Sequence, residues 1–222
     1  GSFLILDGQH RVFGFSKATK PLRVPVVIYN GLSRADETRL FVDINTKQRP
    51  VPSPLLLDIK RLADIETESE GTLRNIFDLF NSEQGSALAG MLAPFDSIKN
   101  KINRTTFNAA VKPLLENFGE RNELEIYQIL NAYLSAVASR LNEKISDTIL
   151  AKPVVFRAFL GLFPAIAQRI KDKFNGNYSP SNVSDVMSPL FSHLPVSRLK
   201  NPGTSWVALR DYLASRIRDK TF

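Results

Sequence analysis

The sequence runs to 222 residues, enough for one large or two small domains, and its 43% hydrophobic and 23% charged content marks a globular chain rather than a disordered one. With no cysteine and two histidines it excludes disulfides, thiolate catalysis and cysteine-type zinc sites, leaving carboxylate-bound Mg²⁺ as the metal chemistry open to it. The net charge of +7 is uneven, +4 over residues 1–60, −4 over 61–147 and +7 over 148–222, so basic ends flank an acidic middle.

A basic segment either tracks phosphates by counterion release or merely keeps a surface soluble, and charge alone leaves both readings open. The longest apolar stretch, 156–170, is interrupted by Arg157, Pro164, Gln168 and Arg169, so no membrane span is expected. The absence of cysteine fits a reducing cytoplasm.

In chain order, Gly1-Ser2 reads as a cloning remnant. Residues 3–6 are an apolar run of the buried-strand type, which needs neighbours on both sides. The chain offers few partners for it, so further strands are expected upstream. Asp7-Gly8 breaks that strand, and residues 9–18 have helical spacing. The β-branched run 24–29 predicts a second strand, parallel to the first across the helical crossover. Ser33 is a helix N-cap with Asp36 and Glu37 in the first turn, and the helix is expected to stop at Asn45-Thr46 before Pro50, Pro52 and Pro54. Another helix is predicted over 55–65, opened by Ser53-Pro54.

Beyond residue 66 no strand is expected. Apolar spacing predicts helices over 73–80, 105–118, 123–141, 154–174, 181–194 and 205–218, with loops at 66–71 and 82–90. Asn175-Gly176-Asn177 is a helix terminator. The fold class is therefore α+β, an amino-terminal unit at 3–65 followed by a mainly α-helical carboxy-terminal domain at 66–222.

Asp7-Gly8-Gln9-His10-Arg11 sits where a strand gives way to a helix. Backbone N–H groups and the positive end of the helix dipole converge at such a place, and an anion is their natural occupant. Gly8 lets the backbone approach closely, Gln9 and His10 offer neutral donors, and Arg11 supplies a forked cation for a phosphate. Asp7 would cap the helix or bind a metal accompanying the phosphates. Plain capping, with His10 and Arg11 as ordinary surface residues, explains the same letters.

This turn, followed by 24–29 and by Leu40-Phe41-Val42-Asp43-Ile44-Asn45-Thr46-Lys47-Gln48-Arg49-Pro50-Val51, resembles the DGQHR-domain family of DndB-like proteins, within the ParB/sulfiredoxin-like superfamily. The resemblance covers residues 3–60. It implies a ParB/sulfiredoxin-like amino-terminal unit in which Gly8 and Arg11 match a G-x-x-R phosphate-binding turn and His10 matches the signature histidine. It further implies a DNA-associated regulator or accessory factor in bacterial DNA modification of the phosphorothioation kind or in defence. The implied ligand is ATP or another nucleoside triphosphate with Mg²⁺. The sulfiredoxin reaction is excluded because its cysteine is missing. ParB's second motif, Glu-Asn-x-x-Arg, is matched only loosely by Asn45, Lys47, Gln48 and Arg49: Arg49 falls four residues after Asn45 and no glutamate precedes it. Those four residues are expected to wall the same site as Arg11, or else to form a solvated loop.

Elsewhere, Lys99, Lys101 and Arg104 precede Thr105-Thr106, which reads as an N-cap with a basic lead-in or as a DNA-backbone contact. Arg198, Lys200, Arg210, Arg216, Arg218 and Lys220, with Trp206 and Tyr212 between them, could track phosphates. Trp206, Leu209, Leu213 and Ile217, however, share the helical spacing of a core stripe. His193 carries no evident chemistry, no catalytic dyad can be named, and Walker, GxSxG and HExxH patterns are absent. Three functions follow as expectations: a nucleotide-binding DNA-associated protein, a ParB-like NTPase or nuclease, or a non-catalytic DNA-binding module. Self-association is left open.

Overall fold

The computed structural model describes residues 4–20, 23–48, 53–62, 66–94 and 98–217, and the chain divides into two compact units, Gly1–Thr67 and Glu68–Phe222.

The first unit contains α1 (Gln9–Ser16), α2 (Arg34–Gln48) and α3 (Ser53–Leu62), of which α2 and α3 touch. Helix α2 begins as expected: Ser33 Oγ accepts from the Asp36 amide at 3.2 Å and donates to the Asp36 carboxylate at 2.6 Å. Its end corrects the expected stop at Asn45-Thr46, because the helix runs on to Gln48. Polar residues with poor propensity are tolerated in a last turn, and a proline disfavours helix chiefly for the residue just before it.

The two expected strands are corrected as well. Residues 4–6 and 24–29 form no strand, and Val26 and Val27 are 72% and 79% exposed. β-branched composition suits a pleated, half-buried surface but does not create one; a strand needs a hydrogen-bonded neighbour, and the described residues of this unit supply none. No residue from 4 to 67 whose exposure is described is buried.

The second unit holds the core. It comprises α4 (Glu68–Ser82), the two-residue strands β1 (Leu92–Ala93) and β2 (Ile102–Asn103), α5 (Arg104–Val111), a 3₁₀ segment (Lys112–Phe118) and α6 (Glu123–Lys144). A 3₁₀ turn (Asp147–Ile149) then leads to α7 (Pro153–Phe174), α8 (Pro180–Val186), α9 (Ser188–Ser192), α10 (Val196–Lys200) and α11 (Trp206–Ile217). The strands pair in parallel, Leu92 with Ile102 and Ala93 with Asn103, where none was expected. The chain is thus mostly helical, and α+β in the coarse sense only.

Other boundaries depart from the periodicity for identifiable reasons. The loop expected at 66–71 is confined to 66 and 67, because 68–71 is the first turn of α4, where Glu68 and Glu70 sit at the positive end of the dipole. The helix expected over 105–118 breaks into α5 and the 3₁₀ segment at Pro113, which lacks the N–H that an α-turn requires. Its cap is Asn103, whose side chain accepts from the Thr106 amide at 2.8 Å, and not Thr105. Helix α7 ends as expected at Asn175, in the left-handed conformation with φ 51°.

Helix α7 organises the unit, with α5, α8 and α11 packed against it, while α6 packs against α4 and α8. Phe156, Phe159, Leu160, Phe163 and Ile166 are buried along it. Tyr133 of α6, fully buried, donates its hydroxyl proton to the Phe159 carbonyl at 2.6 Å. By length and composition α7 is apolar enough to cross a membrane, which counting interruptions in the sequence did not reveal. Here it is the central helix of the core.

Candidate functional site

Gly8 is the N-cap of α1, with φ 86° and ψ 14°, a left-handed conformation that glycine adopts without a Cβ penalty. Its carbonyl accepts from the Val12 amide at 2.9 Å and starts the helix. No side chain caps α1, so of the two roles open to Asp7 capping is overturned. The Asp7 carboxylate instead takes the Arg11 guanidinium at 3.1 Å, one helical turn along. Gln9 reaches back to the Ile5 carbonyl at 3.2 Å, and His10 is exposed.

Arg11 also lies against the glycine. A Cβ added to Gly8 would meet the Arg11 Nη2 at 3.3 Å and Nε at 3.4 Å. The guanidinium is therefore held over the turn by Asp7 on one side and by a bare α-carbon beneath, with 67% of the side chain still exposed. A cation at the amino end of a helix opposes the dipole unless a negative group accompanies it. Asp7 supplies that charge from within the chain. A phosphate oxygen would satisfy the same electrostatic demand and could use the guanidinium fork.

The proposed second wall is only partly visible. Asn45, Lys47 and Gln48 form the last turn of α2 rather than a break between helices. Their side chains, and Arg49 altogether, lie outside the described residues.

The weaker DNA-contact set separates. Lys99, Arg198 and Lys200 are exposed and Lys101 is half-buried. Arg104 is 6% exposed, its guanidinium 5.9 Å from the centre of the Phe77 ring, so burial within the core removes it from that set. Among the described residues no group of three His, Asp or Glu side chains is placed to hold a metal.

Most cations around the carboxy-terminal helices are occupied structurally. Arg140 donates to the Phe191 carbonyl through Nε and Nη2, Arg169 to the Ile217 carbonyl, and Lys152 to the Lys200 carbonyl. Each of these carbonyls lies in the last turn of α9, α11 or α10, where backbone acceptors lack intrahelical donors. On α11, Leu209, Leu213 and Ile217 are buried as the expected core stripe, whereas Trp206 is only half-buried and carries Arg157 and Arg210 at 4.7 and 5.4 Å from its ring.

No family model, no curated protein and no solved structure matches the chain. The likeness to DGQHR-domain proteins accordingly rests on the residues of the motif and its flanks.

Proposed function

We propose that the chain is a DNA-associated, phosphate-recognising protein whose anion-binding centre is the Asp7–Arg11 turn, in the manner that the resemblance to DGQHR-domain proteins implies. The observation that supports this reading is the Arg11 guanidinium resting on Gly8 beside the uncapped amino end of α1. The ligand is the triphosphate of ATP or another nucleotide, gripped by the Arg11 fork and the first-turn amides. Asn45, Lys47, Gln48 and Arg49 complete the pocket, and the unit is of the ParB/sulfiredoxin-like kind. The role is that of a regulator or accessory factor in bacterial DNA modification or defence. No side chain is assigned to bond cleavage.

Calorimetric titration with ATP, GTP and CTP, each with and without Mg²⁺, tests the reading. Arg11→Ala is expected to weaken nucleotide binding at least tenfold, since charged hydrogen bonds contribute about 1.5–3 kcal/mol. Asp7→Asn decides the role of the carboxylate. If Asp7 stands in for the anion, the substitution tightens binding with or without Mg²⁺. If it holds the metal, binding in Mg²⁺ weakens. Nucleotide binding untouched by Arg11→Ala would remove the site, and phosphate release would turn a binder into an NTPase.

A further inference from the structure

Tyr212 sits between two arginines from different places in the chain. The Arg198 guanidinium lies 4.0 Å from the centre of its ring, and that of Arg216 lies 5.1 Å away. Arg216 also donates through Nη2 to the Tyr212 hydroxyl at 2.8 Å. That hydroxyl oxygen is the acceptor, so its own proton remains to be donated. Both arginines are exposed and Tyr212 is half-buried.

The electrostatics are unbalanced. Two like charges are drawn to one quadrupole, which favours each cation over the ring but does not neutralise either. From Val186 to Ile217 the sequence contains one carboxylate, Asp211, and Arg210 holds it at 2.7 Å. The capping cations Arg140, Lys152 and Arg169 have carbonyl partners, whereas neither Arg198 nor Arg216 has an ion pair among the described residues. Stacking on the ring fixes the plane of a guanidinium while leaving its N–H edge outward, the pre-organised fork that suits a phosphate.

We propose that Arg198, Tyr212 and Arg216 form a phosphate clamp that takes the phosphodiester backbone of a nucleic acid. Two guanidinium forks and one hydroxyl are gathered at a single ring, each able to take a phosphate oxygen of the same backbone. The clamp is on the surface rather than in a cavity, so one free phosphate competing with water gains little there. A polymer engages it together with the exposed Lys200 on the same short helix and gains from counterion release. Contacts of this type position a backbone and carry no base preference. The proposal is independent of the Asp7–Arg11 turn, which lies in the other unit.

The test is fluorescence-anisotropy titration of labelled duplex and single-stranded oligonucleotides across a salt series. Arg198→Gln/Arg216→Gln is expected to weaken binding at least tenfold and to flatten the dependence of log K on log salt by about one to two. Nucleotide titration of the same double variant is expected to match the wild type, which separates failure of the clamp from failure of the amino-terminal site. Arg198→Lys, retaining charge without the fork, should recover only part of the affinity. On the wild-type protein, phenylglyoxal labelling read by mass spectrometry should show Arg198 and Arg216 protected by DNA and Arg11 not. Equal affinity in the double variant would overturn the clamp, as would a wild-type protein that binds no nucleic acid. Loss of binding to phosphatidylglycerol vesicles, rather than to DNA, would overturn it in favour of a membrane surface. A variant that merely melts earlier, with DNA affinity intact, would reduce the arrangement to packing.

Discussion

Two residues inside the helical unit illustrate how narrowly single positions are set. Gly161 faces α11 at a distance no side chain could share: an added Cβ would stand 2.9 Å from Arg210 Cδ and 3.0 Å from Trp206 Cζ3. The arginine stem can move, but the indole is held against α7. Gly161→Ala should therefore destabilise the unit by about 1–3 kcal/mol through overpacking, despite alanine's better helix propensity. Thermal melting would register this as a fall of several degrees. Tyr133 shows the electrostatic counterpart. Burial raises its hydroxyl pKa far above the ordinary value of 10.0, because the phenolate would lose its hydration. The unfolded chain releases this proton more readily than the folded one, so the contribution is fully present below pH 10 and declines as pH rises beyond it. Urea titrations at increasing alkaline pH should show stability falling, with a shallower fall in Tyr133→Phe. At neutral pH the same substitution should cost about 1 kcal/mol for the lost hydrogen bond to Phe159.

At the scale of elements, caps define what packing does not. Helix α6 opens with a reciprocal capping box, in which the Asn122 side chain accepts from the Glu125 amide and Glu125 accepts from the Asn122 amide, both at 3.0 Å. Asn122→Ala should cost about 1 kcal/mol, visible as a lower denaturant midpoint with an unchanged slope. Long helices such as α6 and α7 were legible in the sequence because their apolar residues recur on one face and are the residues buried. The failures came where tertiary context decides. The run at 24–29 has strand chemistry without a neighbour. Asn103 is not legible as a cap in the sequence, because β2, which delivers it, is two residues long and without periodicity. Helix α10 spans one and a half turns, too few to show a stripe, yet it places Arg198 beside Tyr212. The turn at Asp7–Arg11 was readable because its parts are contiguous, whereas the clamp brings Arg198 to two residues fourteen and eighteen positions further on.

For the whole molecule, the division at residue 67 separates a segment in which no residue of described exposure is buried from one that contains the entire described core. Described amides within 4–67 should exchange with solvent in seconds to minutes, and those of α6 and α7 only on global opening, as measured by hydrogen–deuterium exchange. Residues 68–222 expressed alone should retain the melting temperature of the full chain to within a few degrees. A large drop would mean that the first unit stabilises the second.

The lysine and arginine caps reach beyond local hydrogen bonding. The last turns of α9, α10 and α11 are each fastened by a cation from α6, from α7 or from Lys152, the residue that precedes α7. An ordinary helix end frays by itself. Fraying at these ends breaks a charged hydrogen bond to a neighbouring element as well as the helix's own, an added cost of about 1.5–3 kcal/mol where the contact is part-buried. Three peripheral termini are thereby coupled to the elements at the centre of the bundle.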